Sequence, residues 1–152
     1  MKNTENRNIM FEVFKGGISE LKDLIAEYKL LIGEEKLNES EVGKLGDVVR
    51  NGDIIFFVAR KDEKIIGMCS ISHTFSTYNC EYGGVFEDFY VKPDFRGQGI
   101  AKGLVGFVFE YCKKQNIATL WVGCCDGDAE MYKHIGFKYP LGRLFTWNKN
   151  QS

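Results

Sequence analysis

The chain has 152 residues, a length that favours one domain spanning residues 1–152 with a sizeable hydrophobic core. Hydrophobic residues make up 44% and charged residues 27%, and the formal net charge of −1 gives no reason to expect a nucleic-acid partner. No apolar run reaches the roughly 18 residues of a membrane-spanning helix, and the polar start lacks the apolar stretch of a signal peptide. We therefore expect a cytoplasmic protein without membrane contact.

The cysteines give little sign of a disulfide or a metal site. Their number is odd, no CxxC spacing occurs, and only His73 and His134 are available as histidine ligands. In a cytosolic setting we expect all of them to be reduced thiols and no metal to be bound. The cysteines are Cys69, Cys80, Cys112, Cys124 and Cys125.

The first third of the chain predicts one strand followed by two helices. Ile9 to Phe14 alternates weakly as a strand, and apolar residues then recur at helical spacing from Leu21 to Ile32. A second apolar stripe predicts a helix over Glu39 to Arg50, which ends at the turn sequence Asn51 to Asp53.

The remainder of the chain is predicted to mix strands and helices. We predict strands over Ile54–Ala59, Ile65–Thr77, Val85–Val91 and Ala118–Val122, helices over Gly99–Gln115 and Asp128–Ile135, and closing strands over Phe137–Tyr139 and Leu144–Trp147. The early strands can pair as hairpins, whereas the strand–helix–strand unit from Val85 to Val122 requires a parallel pair. The predicted fold class is α/β in the broad sense, an α+β mixed sheet that is mostly antiparallel, with helices on both faces.

The most informative segment runs from Val85 to Leu104 and reads as a strand, a proline, a turn with two glycines and a helix. Such a turn gathers backbone N–H groups and the positive end of a helix, which together suit a phosphate or pyrophosphate. A Walker loop is excluded because no Gly-Lys-Ser/Thr triplet occurs. The dinucleotide fingerprint GxGxxG fits at Gly97 and Gly99, but Lys102 stands where its third glycine belongs.

This segment resembles motif A of the GCN5-related N-acetyltransferase (GNAT) family, Arg/Gln-x-x-Gly-x-Gly/Ala, with Arg96, Gly99 and Ala101 at its defined positions. Further along the chain, Tyr132 resembles the tyrosine of a helix that the family places before a Gly-Phe pair, which also follows here. The two motifs together make the resemblance much more specific than either would alone.

The resemblance covers residues 9–147 and implies a GNAT-like acyl-CoA N-acyltransferase fold with acetyl-CoA as the acetyl donor. In this family the central strand splays from its parallel neighbour around a bulge, and acetyl-CoA lies in the gap. Backbone groups of the strand would bind the pantetheine arm, and the Val91 N–H would polarise the thioester carbonyl. The cofactor-binding residues implied are Phe89, Tyr90, Val91, Arg96, Gly97, Gln98, Gly99, Ile100, Ala101 and Lys102.

The resemblance also implies catalytic groups for the two proton transfers. Tyr132 would protonate the departing thiolate, since a phenol with a pKa of about 10 keeps its proton at neutral pH; simple aromatic packing is the alternative. Glu87 is the favoured base for the incoming ammonium, directly or through a water, with Asp88 as the fallback. Because neighbouring strand residues face opposite sides, we expect at most one of these carboxylates to line the pocket. Either could instead be a charged strand end that faces solvent or a basic partner.

One position departs from the family pattern. Asparagine is common at the position of Cys125 and contacts CoA, so that contact is open here, and Asp126 could cap the following helix instead. Thiol catalysis by Cys124 or Cys125 is disfavoured because no base motif accompanies them.

The acceptor is less well defined by the sequence. Residues 74–78 and 87–91 resemble the spermidine/spermine and thialysine acetyltransferase branch of the family. Acidic residues in segments that usually flank the acceptor site would suit a small cationic amine, or else are solvated surface glutamates. These residues are Glu34, Glu35, Glu39, Glu41 and Glu81. A protein amino group also remains open as the acceptor.

We therefore predict an N-acetyltransferase that moves an acetyl group from acetyl-CoA to a primary amine by direct attack in a ternary complex. The alternative is a non-catalytic acyl-CoA-binding or sensing domain of the same fold, against which Tyr132 and the strand carboxylates argue. A homodimer is a further expectation of the resemblance. Phe145 and Trp147 would belong either to its interface or to the core.

Overall fold

The computed structural model describes residues 8–150. The chain folds, in order, as β1 (Ile9–Val13), α1 (Lys22–Leu31), α2 (Glu39–Arg50), β2 (Ile54–Lys61), β3 (Lys64–Ser76), β4 (Glu81–Val91), α3 (Ile100–Lys114), β5 (Thr119–Trp121) and α4 (Ala129–Ile135). Short 3-10 turns precede α1, α3 and α4 at Ile18–Glu20, Pro93–Phe95 and Asp126–Asp128. None of the helices in the described range is long and apolar enough to cross a membrane.

The strands form one mixed sheet in the order β1-β2-β3-β4-β5. The first three pairings are antiparallel and the pairing of β4 with β5 is parallel. The predicted mixed sheet, mostly antiparallel and with one parallel pair across α3, is therefore confirmed. The predicted α2 also has the observed bounds, because Asn38 and Glu41 form a capping box at its start.

The two faces of the sheet bury different apolar side chains because successive strand residues point to opposite sides. One face packs against α3 and α4, and the other packs against α1 and α2. The buried residues toward α3 include Phe57, Cys69, Ile71, Phe86, Leu104 and Val108, and those toward α1 include Leu24, Ile25, Phe56, Val58, Met68 and Tyr90. The predicted helices on both faces are thus confirmed.

The two predicted closing strands are wrong. Neither 137–139 nor 144–147 forms a strand, and Phe145 and Trp147 are 90% and 83% exposed, so neither is a core residue. A strand needs a neighbour to complete its ladder, and β-propensity alone does not supply one. Phe137 is held instead by its ring, which packs against Phe86, Phe109 and Tyr132 at the end of α4.

The two glycines inside α3, Gly103 and Gly106, have different surroundings. A Cβ atom added to Gly103 would lie 2.4 Å from the Phe11 ring of β1, whereas one added to Gly106 would meet nothing within 4 Å. Gly103 therefore allows α3 to pack closely on the sheet, and this packing holds the helix start in place. Gly106 has no such contact in the described part of the chain.

We expect Gly103→Ala and Gly106→Ala to change stability in opposite directions. Gly106→Ala should raise the free energy of unfolding by up to about 1 kcal/mol, because alanine favours the helix. Gly103→Ala should lower it by about 1–3 kcal/mol, because overpacking against Phe11 outweighs the same helix preference. Urea denaturation of both variants tests this, and a stabilised Gly103→Ala would contradict the packing role.

Candidate active site

The sheet opens where β4 and β5 part. β5 pairs with β4 only at Gly83, Gly84 and Val85. A Cβ atom at Gly84 would come within 3.0 Å of both Ile71 and Leu120, so glycine is needed for this close approach. Beyond Val85, the half of β4 that runs to Val91 keeps β3 on one side and has no strand on the other within the described residues. The splayed strand implied by the family resemblance is thus present.

A β-bulge marks the start of this open half. Ser70 of β3 lies opposite Glu87 and Met68 lies opposite Tyr90, so β4 carries one extra residue across the intervening position. Asp88 in the bulge has a φ of 52°, a left-handed conformation that asparagine and aspartate tolerate better than most residues. Its carboxylate accepts a hydrogen bond from the Ser70 hydroxyl, with an Oγ–Oδ2 distance of 2.5 Å.

The register of β4 directs the Val91 amide into the gap. Lys92 N–H donates to the Ile66 carbonyl of β3 at an N–O distance of 2.9 Å. Because hydrogen-bonding residues alternate along an antiparallel strand, the N–H and C=O of the preceding Val91 point away from β3. Val91 therefore presents a fixed donor to the open side, as the role that the resemblance implies for it would require.

Arg96 braces this strand end. Its Nε donates to the Val91 carbonyl oxygen at 2.8 Å, and its guanidinium lies over the Tyr90 ring, 5.6 Å from the centroid. The resemblance implies that Arg96 is one of the cofactor-binding residues. In the structure it ties the turn before α3 to β4 through the Val91 carbonyl.

The turn before α3 presents several N–H groups that have no partner among the described residues. Gly97 and Gly99 have φ values of 72° and 80°, and a Cβ atom on either would meet nothing within 4 Å. In the first backbone hydrogen bond of α3, the Gly103 N–H donates to the Gly99 carbonyl oxygen. In the described part of the chain, no hydrogen bond uses the N–H groups of Gly97, Gly99, Ile100, Ala101 or Lys102.

Other features of the turn also suit a phosphate group. The Ile100 side chain is buried, which anchors the helix start, while residues 96–99 are exposed. The Lys102 side chain is exposed and makes no ion pair within the described residues. Gln98 donates to the Asp94 carbonyl, which closes the turn. Unpartnered N–H groups, a helix N-terminus and a lysine together fit a pyrophosphate.

The prediction that Glu87 and Asp88 face opposite sides is wrong. The bulge interrupts the alternation, and Asp88 bonds to Ser70, the residue that lies opposite Glu87. Both carboxylates raise the pKa of the Tyr28 phenol on α1, where burial is the largest cause. Burial, and then the Asp88 charge, also raises the pKa of Glu87 above its usual value. Both acids therefore lie on the α1 side of β4, and a raised pKa makes Glu87 a better proton acceptor.

Tyr132 lies on the α3 side of the open strand. Its ring packs against Phe89 and Phe137, with centroids 6.2 and 6.0 Å apart. Burial, with smaller contributions from Tyr28 and Cys124, raises the pKa of its phenol to about 12. The side chain therefore keeps its proton throughout the neutral range and can act as a donor. The aromatic packing offered as an alternative is also present, and it holds the ring in place.

Two residues of the site were missed by sequence reasoning. Tyr28 lies on the apolar stripe of α1, yet its phenol interacts electrostatically with Tyr132, Glu87 and Asp88. Ser70 is the single buried polar residue in the described part of the chain, at 1% exposure. A hydroxyl within an apolar helix stripe and a serine within a buried strand were the available signals.

The segment before α4 lacks the helix cap by Asp126 that the sequence offered. Cys125 Sγ lies 3.1 Å from Asp128 Oδ2, and neither Asp126 nor Asp128 makes a side-chain cap on the following helix. Cys124 and Cys125 are exposed free thiols near Tyr132. All five cysteines are unpaired.

The five glutamates proposed as acidic walls do not line the cleft at Asp88. They are exposed, and two have local partners: Glu41 caps α2 and Glu81 accepts from Asn79. The cleft beside the bulge is formed instead by α1, α2 and the strands beneath them, and Tyr28 and Asp88 line one part of it. We call this the α1–α2 cleft.

Comparisons with known proteins agree with this geometry. The family profile of the acetyltransferase (GNAT) domain matches residues 52–139. An uncharacterized N-acetyltransferase of Methanocaldococcus jannaschii is 38% identical over 88 residues, which cover 55% of this chain and 38% of that protein. The chain spans about two fifths of the length of the curated relatives it matches.

Solved structures show the same fold. A probable acetyltransferase superposes with a TM-score of 0.80 at 19% identity, covering 95% of this chain and 99% of the other. A predicted acetyltransferase of Clostridium acetobutylicum, solved with acetyl-CoA, gives a TM-score of 0.69 at 21% identity and covers 91% and 96% of the two chains. Since the family profile spans more than half of the sequence, the chain belongs to the GNAT acetyltransferase family.

Proposed function

We propose that this protein is an N-acetyltransferase that uses acetyl-CoA to acetylate a primary amine by direct attack in a ternary complex. One observation carries the proposal. The Val91 N–H lies at the open edge of β4, between a turn that fits pyrophosphate and a group of acid–base side chains. We also propose that residues 1–152 form one such domain, with acetyl-CoA as cosubstrate and no metal.

Acetyl-CoA, when bound, supplies the acetyl group as an activated thioester. The N–H groups from Gly97 to Lys102 would hold its pyrophosphate, and the open edge from Phe89 to Val91 would pair with the pantetheine arm as an added strand does. The Val91 N–H would donate to the thioester carbonyl oxygen, where negative charge develops during attack. Arg96 ties the turn to the same residue through its bond to the Val91 carbonyl.

Side chains on the two faces of β4 would then carry out one proton transfer each. Glu87, directly or through a water, takes a proton from the ammonium of the acceptor, with Asp88 as the alternative base. The amine nitrogen forms the new C–N bond while the C–S bond breaks, and the nitrogen then releases its second proton to solvent to give the neutral amide. Tyr132 donates its phenolic proton to the departing sulfur, so the products are the N-acetyl amide and the free thiol of CoA. Solvent proton exchange restores both side chains.

A cationic amine suits the acceptor side because two carboxylates lie there with no basic partner in the described residues. The sensing alternative predicts binding of acetyl-CoA without turnover. Mass-spectrometric detection of acetylated product over a panel of amines and peptides separates the two. Product from any amine establishes the enzyme, whereas bound acetyl-CoA with no product from the whole panel contradicts it.

We expect Tyr132→Phe to lower kcat by about 100-fold or more, because the thiolate would leave without a proton donor. The ring contacts to Phe89 and Phe137 remain in this variant, so the stability and the KM for acetyl-CoA should change little. Tyr111→Phe is a matched control, since Tyr111 packs on Phe57 away from the site. Equal activity in the two variants would exclude Tyr132 as the acid.

The pH dependence of kcat/KM identifies the base. If Glu87 is the base, activity falls as the pH drops through its raised pKa, because the protonated form cannot accept a proton. Asp88→Asn removes a charge that raises this pKa, so the acidic limb should move to lower pH. Glu87→Gln should remove the limb and lower kcat/KM about 100-fold.

At each pH, the kcat/KM of a variant is divided by that of the wild-type enzyme. This ratio cancels the effect of the ionisation of the amine itself. Asparagine at position 88 tolerates the positive φ and can still accept the Ser70 hydrogen bond, so the bulge should persist. Loss of the acidic limb in Asp88→Asn, with the limb intact in Glu87→Gln, would assign the base to Asp88.

A further inference from the structure

The α1–α2 cleft begins at the reacting groups and leads away from them. Its volume is about 230 Å³, and Tyr28 and Asp88 are among the residues that line it. The Tyr28 phenol interacts electrostatically with Tyr132 and Glu87, so this part of the cleft is next to the proposed proton-transfer groups. An amine held beside Asp88 would therefore direct its substituent into the cleft.

The rest of the cleft is almost entirely apolar. Its walls are Ile25 of α1, Ile32 directly after α1, Leu37 before α2, Leu45 of α2 and Phe56 of β2. Ile25 and Phe56 are buried and belong to the same core cluster that Leu37 and Leu45 cover. Binding a hydrocarbon group on such a surface is favourable, because apolar area is removed from water. The same surface offers no hydrogen bond or opposite charge to a second ammonium group.

Besides Asp88, one other charged side chain among the described residues lines the cleft, the cation Lys29. Lys29 lines the cleft one position beyond Tyr28, and it makes no ion pair in the described part of the chain. A polyamine that placed its first nitrogen at Asp88 would bring a second ammonium toward apolar walls and Lys29. Burial and like-charge repulsion both oppose that arrangement.

We propose that the acceptor is a monoamine with an apolar substituent, whose ammonium lies at Asp88 and whose hydrocarbon part fills the α1–α2 cleft. This inference rests on the proposed N-acetyltransferase function. It assigns the substrate class by the chemistry of the walls, and it disfavours polyamines even though two stretches of the sequence resemble a polyamine-acetylating branch.

A series of straight-chain amines from propylamine to hexylamine tests the proposal. With acetyl-CoA saturating, kcat/KM should rise about fourfold for each added methylene until the cleft is filled. Pentylamine should exceed cadaverine, its diamine counterpart, by about tenfold or more, because the second charge would have to be desolvated. A flat series, or a preference for cadaverine or spermidine, would overturn the inference.

Two neighbouring substitutions show whether the cleft is responsible. Ile32→Trp places a large ring in the cleft and should remove most of the gain per methylene. Leu31→Trp is the matched control: Leu31 and Ile32 are 63% and 53% exposed, but Leu31 is not a lining residue. An unchanged chain-length dependence in Ile32→Trp would contradict the proposed binding site.

A charge reversal tests the role of Lys29. Lys29→Glu should raise kcat/KM for cadaverine relative to pentylamine by about threefold, whereas Lys44→Glu on the exposed part of α2 should leave the ratio unchanged. Equal ratios in the two variants would contradict the repulsion by Lys29. No acetylation of any amine would overturn the proposed function and the inference together, while acetylation without preference for apolar monoamines would overturn the inference alone.

Discussion

The β-bulge at Asp88 is the constraint on which the rest of the site depends. It adds one residue to β4, so the strand changes its register against β3 between Ser70 and Met68. Beyond it, β4 has lost β5 as a neighbour, and Val91 N–H points into the opening. The bulge also brings Glu87 and Asp88 to the α1 side together. One local irregularity thus supplies both an unpaired donor edge and two adjacent carboxylates.

The bulge conformation has a cost that nearby contacts offset. A non-glycine residue with positive φ is disfavoured by roughly 1–2 kcal/mol, and two carboxylates placed together repel each other. The Ser70 hydroxyl gives Asp88 a charge-assisted hydrogen bond from a buried position. The aromatic rings of Phe86, Phe89, Tyr132 and Phe137 pack on the opposite side and hold the opened strand.

Local sequence signals predicted the features that depend on local interactions. The apolar stripe of α2 and the turn sequence after it predicted its bounds, and the glycines of the turn before α3 adopt the positive φ values that make such a turn. Features that depend on distant contacts were predicted less well. Simple alternation placed Glu87 and Asp88 apart because the resemblance implied a bulge in this strand without giving its position. Tyr28 reaches the site only through the packing of α1, and the closing strands were predicted from propensity without a neighbour to pair with.

The most direct test of this account follows the backbone amides by NMR while acetyl-CoA is added. The account predicts that the largest shifts fall on Val91 and on residues 97–102, since their N–H groups would gain partners at the carbonyl and the pyrophosphate. Smaller changes should occur at Phe89 and Tyr132. Binding that leaves Val91 and this turn unshifted would contradict the proposed use of the open strand, and with it the mechanism.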